Sequence, residues 1–436
     1  MLRFAPSPTG DMHIGNLRVA IFNYIISKQT KKLFIIRVED TDATRNIKGK
    51  DEEILEILNL FGILWDKLIY QSDNINHHKI LAMDLIKRDK AFYCYCTKEF
   101  LESKKQEAIN SKVAFRYDDS WALECKYFNK NPSIRVKGST DSISFIDKIK
   151  GECKFEASEL DSFVIIRDDG TPTYNFACSV DDMVYDISFI IRGEDHTSNT
   201  PKQILIRNYL GYTKSIEYAH LPIILGNNGR KMSKRDDESS VKWLLDEGYL
   251  PQAIANYLIL MGNSTPKDIF TMEEAIEWFD IKRISKSPAR FDIDQLRYIN
   301  REHLKRLNER DIALLCGNKD LFIGTLAKLY LEESSTLNDI RSKLNSIFLP
   351  KRVEGDFSLE IRLLSNIIMD LLSCNDEALD NFNTFKNKLS NISKLRGKSL
   401  FYPLRFVLTG SFKGPLLNEL YPYLRPYLKE IVILND

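Results

Sequence analysis

The chain has 436 residues, of which 43% are hydrophobic, 28% charged and 11% aromatic, a composition that excludes fibrous, disordered and membrane-spanning classes and describes an ordinary globular protein. Its 62 Lys and Arg offset 61 Asp and Glu to a formal net charge of +1, so the overall charge selects no partner, and any surface for nucleic acid must be local. The N-terminus has no basic segment followed by an apolar one, and the longest apolar runs, such as Tyr257–Met261, are too short for a bilayer. Seven cysteines without disulfide-like regularity suit a reducing compartment, so the expectation is a cytoplasmic protein with no membrane contact.

In chain order, "MLRFAP" predicts a short strand, and "SPTGDMHIG" a loop rich in Pro and Gly. Leu17, Ala20, Ile21, Tyr24 and Ile25 then recur at helical spacing, and "KLFIIRVED" is a continuous apolar run of the kind that forms a strand buried on both faces. Strand, helix and strand in so short a span predict a βαβ unit and a parallel sheet. "DEEILEILNLFGI" and "HHKILAMDLIKRDK" predict amphipathic helices. From Ala91 to Leu160 the texture changes to short strands and polar loops, which predicts an insertion, and strand-type sequence returns over residues 161–195. Beyond Asp292 the chain reads as mostly helical. Between Asn381 and Asn418 it carries Lys386, Lys388, Lys394, Arg396, Lys398, Arg405 and Lys413 with no acidic residue, which is either a solvated basic face or a nucleic-acid contact.

Two loops concentrate residues suited to phosphate chemistry. The first lies between a strand and a helix, so its backbone N–H groups and the helix dipole favour an anion. Gly10 and Gly15 permit close approach, and His13 can donate to phosphate oxygens. The second, "GNNGRKMSKRDD", places Lys231, Lys234 and Arg235 at the tip of a glycine-containing loop, where cations could follow charge shifting on phosphate during transfer. Taken singly, each loop reads first as a surface turn, and only the pair together points to phosphate chemistry.

In this order, "HIGN" and "KMSKR" resemble the HIGH and KMSKS signatures of class I aminoacyl-tRNA synthetases, with Asn16 in place of the second histidine. "RFAPSPTGDMHIGNLR", "RVEDTD", "PTYNFACSVDD", "RGEDHTSNTPKQ", "HLPIIL", "SKSPARFDIDQL" and "GKSLFYPLRFVLTGSFKGP" narrow the resemblance to the bacterial glutamyl-tRNA synthetases. The resemblance implies an α/β fold: a Rossmann-like parallel-sheet catalytic domain in two halves (1–75 and 161–206), an α+β acceptor-end-binding insertion (76–160), a connecting domain with the KMSKR loop (207–290) and an α-helical anticodon-binding domain (291–436). It implies activation of L-glutamate by ATP with Mg²⁺ to glutamyl-adenylate, then transfer to tRNA-Glu, tRNA-Gln or both, by a monomer that needs tRNA present for activation.

Residue by residue, the resemblance implies that Pro8, His13, Gly15, Asn16 and Lys234 contact ATP and that Lys231 and Lys234 stabilise the leaving pyrophosphate. Arg3 would bind the glutamate side-chain carboxylate, with Ser7, Glu39, Tyr174 and Arg192 completing the pocket. A guanidinium offers only donors, so Arg3 would also reject the amide of glutamine. Lys386, Lys394, Arg396, Lys398 and Arg405 would face the anticodon arm of tRNA. Many members carry zinc on a C-x-C and a later C-x-H; here the equivalents are Cys94, Cys96, Cys125 and Tyr127, with Tyr117 a further oxygen donor, and the alternative is three reduced cysteines in a metal-free insertion. Cys153, Cys178, Cys316 and Cys374 read as ordinary thiols. A glutaminyl-type enzyme and a catalytically inactive tRNA-binding paralogue are the competing functions. The chain is somewhat short for the family in its later half, which hints at a specialised choice of tRNA.

Overall fold

A computed structural model describes residues 1–125, 131–226, 228–232 and 236–435. It divides into two compact units, Met1–Trp243 with Ala255–Asp292, and Leu244–Ile254 with Ile293–Asp436.

The first unit is built on a seven-stranded sheet. β1 (Leu2–Phe4) and β2 (Phe34–Val38) are the strands expected on either side of the first helix, Ile14–Thr30, and both are buried along their whole length. β3 (Lys67–Tyr70) follows helix Lys50–Leu60. After helix Ile75–Lys87 come β4 (Ala91–Cys94), β5 (Ser133–Val136), β6 (Ile143–Asp147), β7 (Gly151–Phe155) and β8 (Phe163–Ile166). Helix Tyr174–Val184 leads to β9 (Phe189–Gly193), and helix Thr200–Tyr209 to β10 (Glu217–Leu221). The strand order is β3-β2-β1-β9-β10-β6-β7, parallel except for the β6–β7 hairpin. β4, β5 and β8 form a separate antiparallel sheet.

The two sheets exchange strands across the limits expected from sequence. The hairpin β6–β7, inside the expected insertion, completes the large sheet by pairing Asp147 with Tyr218 of β10. β8, expected to belong to the large sheet, pairs with β5 instead. Alternation explains the first move: Ile143, Phe145 and Asp147 are buried in β6 while Ser144 and Ile146 are exposed, so one face of the hairpin needs a covered sheet edge. Phe145 accordingly packs with Ile190 and Tyr218 in one apolar cluster. Residues 207–243 and 255–292 belong to the same compact unit as this sheet.

The second unit is helical, as the sequence past Asp292 predicts, with helices including Leu337–Phe348, Ser358–Ser373, Phe382–Ser393 and Lys398–Thr409 around a core of Ile347, Leu364, Ile368, Leu404 and Leu408. Each such buried side chain contributes about 1.5–3 kcal/mol relative to exposure.

Candidate active site

In an open parallel sheet, ligands bind beyond the carboxyl ends of the strands at the point where the strand order reverses. Here the chain runs from β1 outward to β3 on one side and returns through β9 and β10 on the other, so the reversal lies between β1 and β9. A cavity of about 760 Å³ opens there, lined by the loop after β1, the segment after β9 and the strand Ile224–Leu225. Six Lys and Arg side chains and four Asp and Glu side chains line it, a cationic excess that suits anionic ligands.

The first loop is held in shape by the segment after β2: Pro6 O accepts from Glu39 N at 2.8 Å and Pro8 O from Ile47 N at 2.9 Å. Ser7, His13, Gly15 and Asn16 line the cavity. Pro8 does not; it is buried, and its role is to anchor the loop by that carbonyl, which corrects the expectation of an ATP contact. His13 caps the first helix, its Nδ1 accepting from Gly15 N at 2.9 Å, so the ring carries its proton on Nε2. A Cβ on Gly15 would stand 3.1 Å from that Nδ1, so a side chain there would press on the capping ring.

At the back of the cavity lies a buried ion cluster. Arg3, 3% exposed, donates through Nε to Asp182 Oδ1 at 3.1 Å, and Arg37 NH1 donates to the same oxygen at 2.7 Å. Arg37 NH2 also bonds Glu39 Oε1 at 3.1 Å and Cys178 Sγ at 3.2 Å. Burial opposes each charge, but Asp182 holds Arg3 and Arg37 protonated, and the two guanidiniums keep Asp182 well below the usual carboxylate range. Burial raises Glu39 in spite of Arg37 and Arg3, and pushes the Cys178 thiol up to about 11. Cys178 is thus a buried core thiol, as the sequence suggests, packed behind the pocket against Arg37 and Asp182. Among the described residues the Arg3 side chain makes no hydrogen bond other than the one through Nε, which leaves its terminal NH1 and NH2 pair to the cavity, the fork geometry that fits a carboxylate.

Arg192, at the end of β9, faces the same cavity. It donates to His220 Nε2 at 3.2 Å, Gln203 Oε1 at 3.0 Å, Thr200 Oγ1 at 2.6 Å and His196 O at 3.3 Å. The Tyr174 hydroxyl lies 3.2 Å from His196 Nδ1, and burial with the nearby Arg192 pushes His196 down to about 4. On this side of the cavity Asp195 holds the second loop, its Oδ2 accepting from Lys231 Nζ at 3.2 Å. The first loop is joined to the start of the helix that follows the second, Val241–Asp246, through Val241 N to Met12 O at 3.0 Å. Lys234 lies outside the described residues. Arg3, Ser7, His13, Gly15, Asn16, Glu39, Tyr174, Arg192 and Lys231 thus come together on one cavity. Sequence reasoning missed Arg37, Asp182, His196 and His220; the only signal was their place inside the motifs "RVEDTD", "SVDD", "RGEDH" and "HLPIIL".

Cys94, Cys96 and Cys125 are buried together around Tyr117, whose hydroxyl lies 3.1 Å from Cys94 Sγ and 3.6 Å from Cys96 Sγ. Arg135 sits over the Tyr117 ring at 3.7 Å, and burial pushes Cys96 up to about 12. Among the described residues no three His, Cys, Asp or Glu side chains are placed to hold a metal ion. Three thiols and a phenol hydroxyl meet in one buried cluster, and Tyr127, the fourth expected ligand, lies outside the described residues.

In the second unit, Lys386 and Arg405 line a cavity of about 390 Å³ with Phe382, Phe401 and Tyr402. Lys386 Nζ lies 5.9 Å from the Phe401 ring, and Phe401 and Tyr402 are exposed. Lys394, Arg396 and Lys398 are exposed on and beside the turn between two helices and do not line this cavity.

Residues 1–298 match the family described as tRNA synthetases class I (E and Q), catalytic domain. The chain is 60% identical to Glutamate–tRNA ligase 2 of Helicobacter hepaticus, with all of both chains covered. It is 52% identical, again over all of both chains, to a Helicobacter pylori protein named GlutamylGlutaminyl-tRNA synthetase. A crystal structure of a glutamate tRNA ligase from Elizabethkingia meningosepticum in complex with its amino acid is similar at a TM-score of 0.82 and 25% identity, covering 99% of this chain and 98% of that one.

Proposed function

The chain belongs to the class I tRNA synthetases of the glutamate and glutamine group, and from that premise we propose how the cavity of this glutamate–tRNA ligase carries out its reaction. The observation that carries the reading is the Arg3 fork, fixed by Asp182 and open to the cavity. It takes the side-chain carboxylate of glutamate. Arg192 and Tyr174, with Ser7 and Glu39, line the same cavity and take the α-amino acid group. An amide in place of the carboxylate would set N–H donors against the fork, so glutamine is excluded.

ATP occupies the space between the first and second loops. The helix N-terminus at His13–Gly15 supports its phosphates, and Asn16 lies at the same end. The glutamate α-carboxylate oxygen attacks the α-phosphorus; the new O–P bond forms as the bond to the β-phosphate oxygen breaks and pyrophosphate leaves. Lys231 and Lys234 balance the charge that grows on it, the kind of contribution whose loss costs about 10²–10³ in rate. A hydroxyl of the terminal adenosine of tRNA then attacks the carbonyl carbon, and AMP leaves. Neither step uses a side-chain nucleophile; both depend on positioning. Magnesium, when bound, neutralises the ATP phosphates, and the carboxylates of Asp11, Asp42 and Asp195 at the cavity are donors of the type it takes alongside phosphate.

The tRNA spans the insertion with its acceptor end and the second unit with its anticodon arm. The Lys386–Phe401–Tyr402–Arg405 cavity combines cations with exposed aromatic faces, which suits an unpaired nucleotide. The division 1–75 with 161–206, 76–160, 207–290 and 291–436 describes these roles, even though strands are exchanged between the first two. No helix among the described residues is long and apolar enough to cross a membrane, and a monomer in the cytoplasm is the state we assign. The relative named for both amino acids supports a ligase that accepts tRNA-Gln. Glutamylation of purified tRNA-Glu and tRNA-Gln, assayed separately with ATP and Mg²⁺, tests this. Charging of either establishes the ligase; charging of tRNA-Gln alone makes it a misacylating enzyme whose product needs amidation; charging of neither refutes the reading.

A further inference from the structure

Arg192 has five N–H groups and four hydrogen bonds. Those four bonds fix the plane of the guanidinium and leave one N–H, on NH1, for the cavity. The bond through Nε is the unusual one, because its acceptor is a histidine nitrogen. His220 can accept there only with its proton on Nδ1, and the surroundings enforce that tautomer. Asp147 Oδ2 lies 2.7 Å from Nδ1 and 3.0 Å from the His220 backbone N, while Thr200 Oγ1 lies 3.1 Å from Nε2. Thr200 Oγ1 itself accepts from Arg192 NH2, and its hydroxyl proton can turn to Nε2 when that nitrogen is unprotonated. Asp147 is fixed in turn by the backbone N–H groups of Ile149 and Lys150, at 2.9 and 2.8 Å.

The strands set this chain of groups. His220 stands opposite Arg192 in the β9–β10 register, and Asp147 ends the β6 strand that pairs with β10. Asp147, His220 and Arg192 are 2%, 0% and 5% exposed, so these bonds are shielded from bulk solvent.

We propose that His220, held in its Nδ1-protonated tautomer by Asp147, is the positioning residue that aims Arg192 into the amino-acid pocket, and that it sets the affinity for glutamate. The proposal rests on the reading that Arg192 contacts the amino acid. Burial, together with Arg192 and Arg3, lowers the His220 pKa against the opposing pull of Asp147, in keeping with a ring that stays neutral and accepting.

Two measurements test it. In the wild-type protein labelled with ¹⁵N-histidine, the His220 ring, assigned by its loss in folded His220→Gln, should show the Nδ1–H tautomer at pH 7.5; the Nε2–H tautomer would overturn the proposal whatever the kinetics of His220→Leu. In steady-state activation with tRNA present, His220→Leu should raise the glutamate KM by about tenfold or more, with kcat and the ATP KM within about threefold of wild type. His220→Gln, which keeps an acceptor oxygen, should recover most of the affinity. A glutamate KM unmoved in folded His220→Leu, or an equal rise in both KM values, overturns it. Arg192→Lys separates the two levels: if that variant binds glutamate normally, the reading of the pocket fails. If Arg192→Lys is impaired while His220→Leu is not, only the role of His220 fails.

Discussion

Asp182→Asn isolates the charge that holds the glutamate pocket together. The substitution keeps the side chain's shape and one acceptor oxygen but removes the negative charge shared by Arg37 at 2.7 Å and Arg3 at 3.1 Å, with Asp182 itself fully buried. Breaking a buried ion pair by removing one partner costs about 3–5 kcal/mol; the retained oxygen keeps the loss near the lower end, about 3 kcal/mol. Against a typical total of about 5–15 kcal/mol the variant still folds. Arg3 then loses its anchor, and the glutamate KM rises by about tenfold or more, with the ATP KM little changed. Urea denaturation and pyrophosphate exchange with tRNA present measure the two effects. Because the folded pKa of Asp182 is depressed by Arg3 and Arg37, its stabilisation is complete above the usual carboxylate range and disappears only as pH falls through the depressed value. The difference between wild type and variant should therefore be flat from pH 5 to 8. A stability loss below about 1 kcal/mol, the scale of an exposed pair, with an unchanged glutamate KM would refute the reasoning.

Gly15→Ala sets stability against activity: alanine is the better helix former by about 1 kcal/mol, so the melting temperature should hold or rise, whereas the Cβ 3.1 Å from His13 Nδ1 should slow adenylate formation at least tenfold. For tRNA, Lys386→Ala should reduce the slope of log affinity against log salt by about one, and Phe401→Ala should weaken binding by about 1–3 kcal/mol with the slope unchanged; filter binding across a salt series distinguishes them. Alanine at Lys394, Arg396 and Lys398 together should weaken binding and flatten the same slope, and an unaffected slope would make that turn a solvated face. Lys351, 4% exposed and pushed down to about 8 by burial, donates to Ile347 O at 2.7 Å and to Ile431 O. Its folded pKa lies below the unfolded value of 10.5, so the unfolded chain binds the extra proton over that interval and stability should rise from pH 8 to 10. Lys351→Met, uncharged throughout, should abolish the rise in denaturation curves at pH 8, 9 and 10.

What the sequence shows of this molecule follows how local each signal is. The strand at Leu2–Phe4, the helix from Ile14 and the buried run Phe34–Val38 are legible because apolar spacing and the loop chemistry act within a few residues. The cavity residues Arg3, His13, Gly15, Tyr174 and Arg192 are legible through motif order. Pro8 was misread because the motif does not say which residues of a loop face inward; the carbonyl bonded to Ile47 decides that. The groups behind the pocket are not legible for a different reason. Asp147 meets His220, and Asp182 meets Arg3, only once strand order and helix packing are fixed. β6 carries the alternation of a half-buried strand, yet nothing in that pattern says which sheet it joins.

The exchange of strands between the two sheets makes residues 76–160 a poor unit for domain grafting. Excising them would strip β10 of its neighbour and leave an unpaired edge, open to association with other chains. β8, left behind, would have lost its partner β5. A shortened or chimeric ligase would have to retain Ile143–Phe155 with the sheet and carry Phe163–Ile166 along with the transplanted piece, so the interwoven segments can be traded between proteins only as a set.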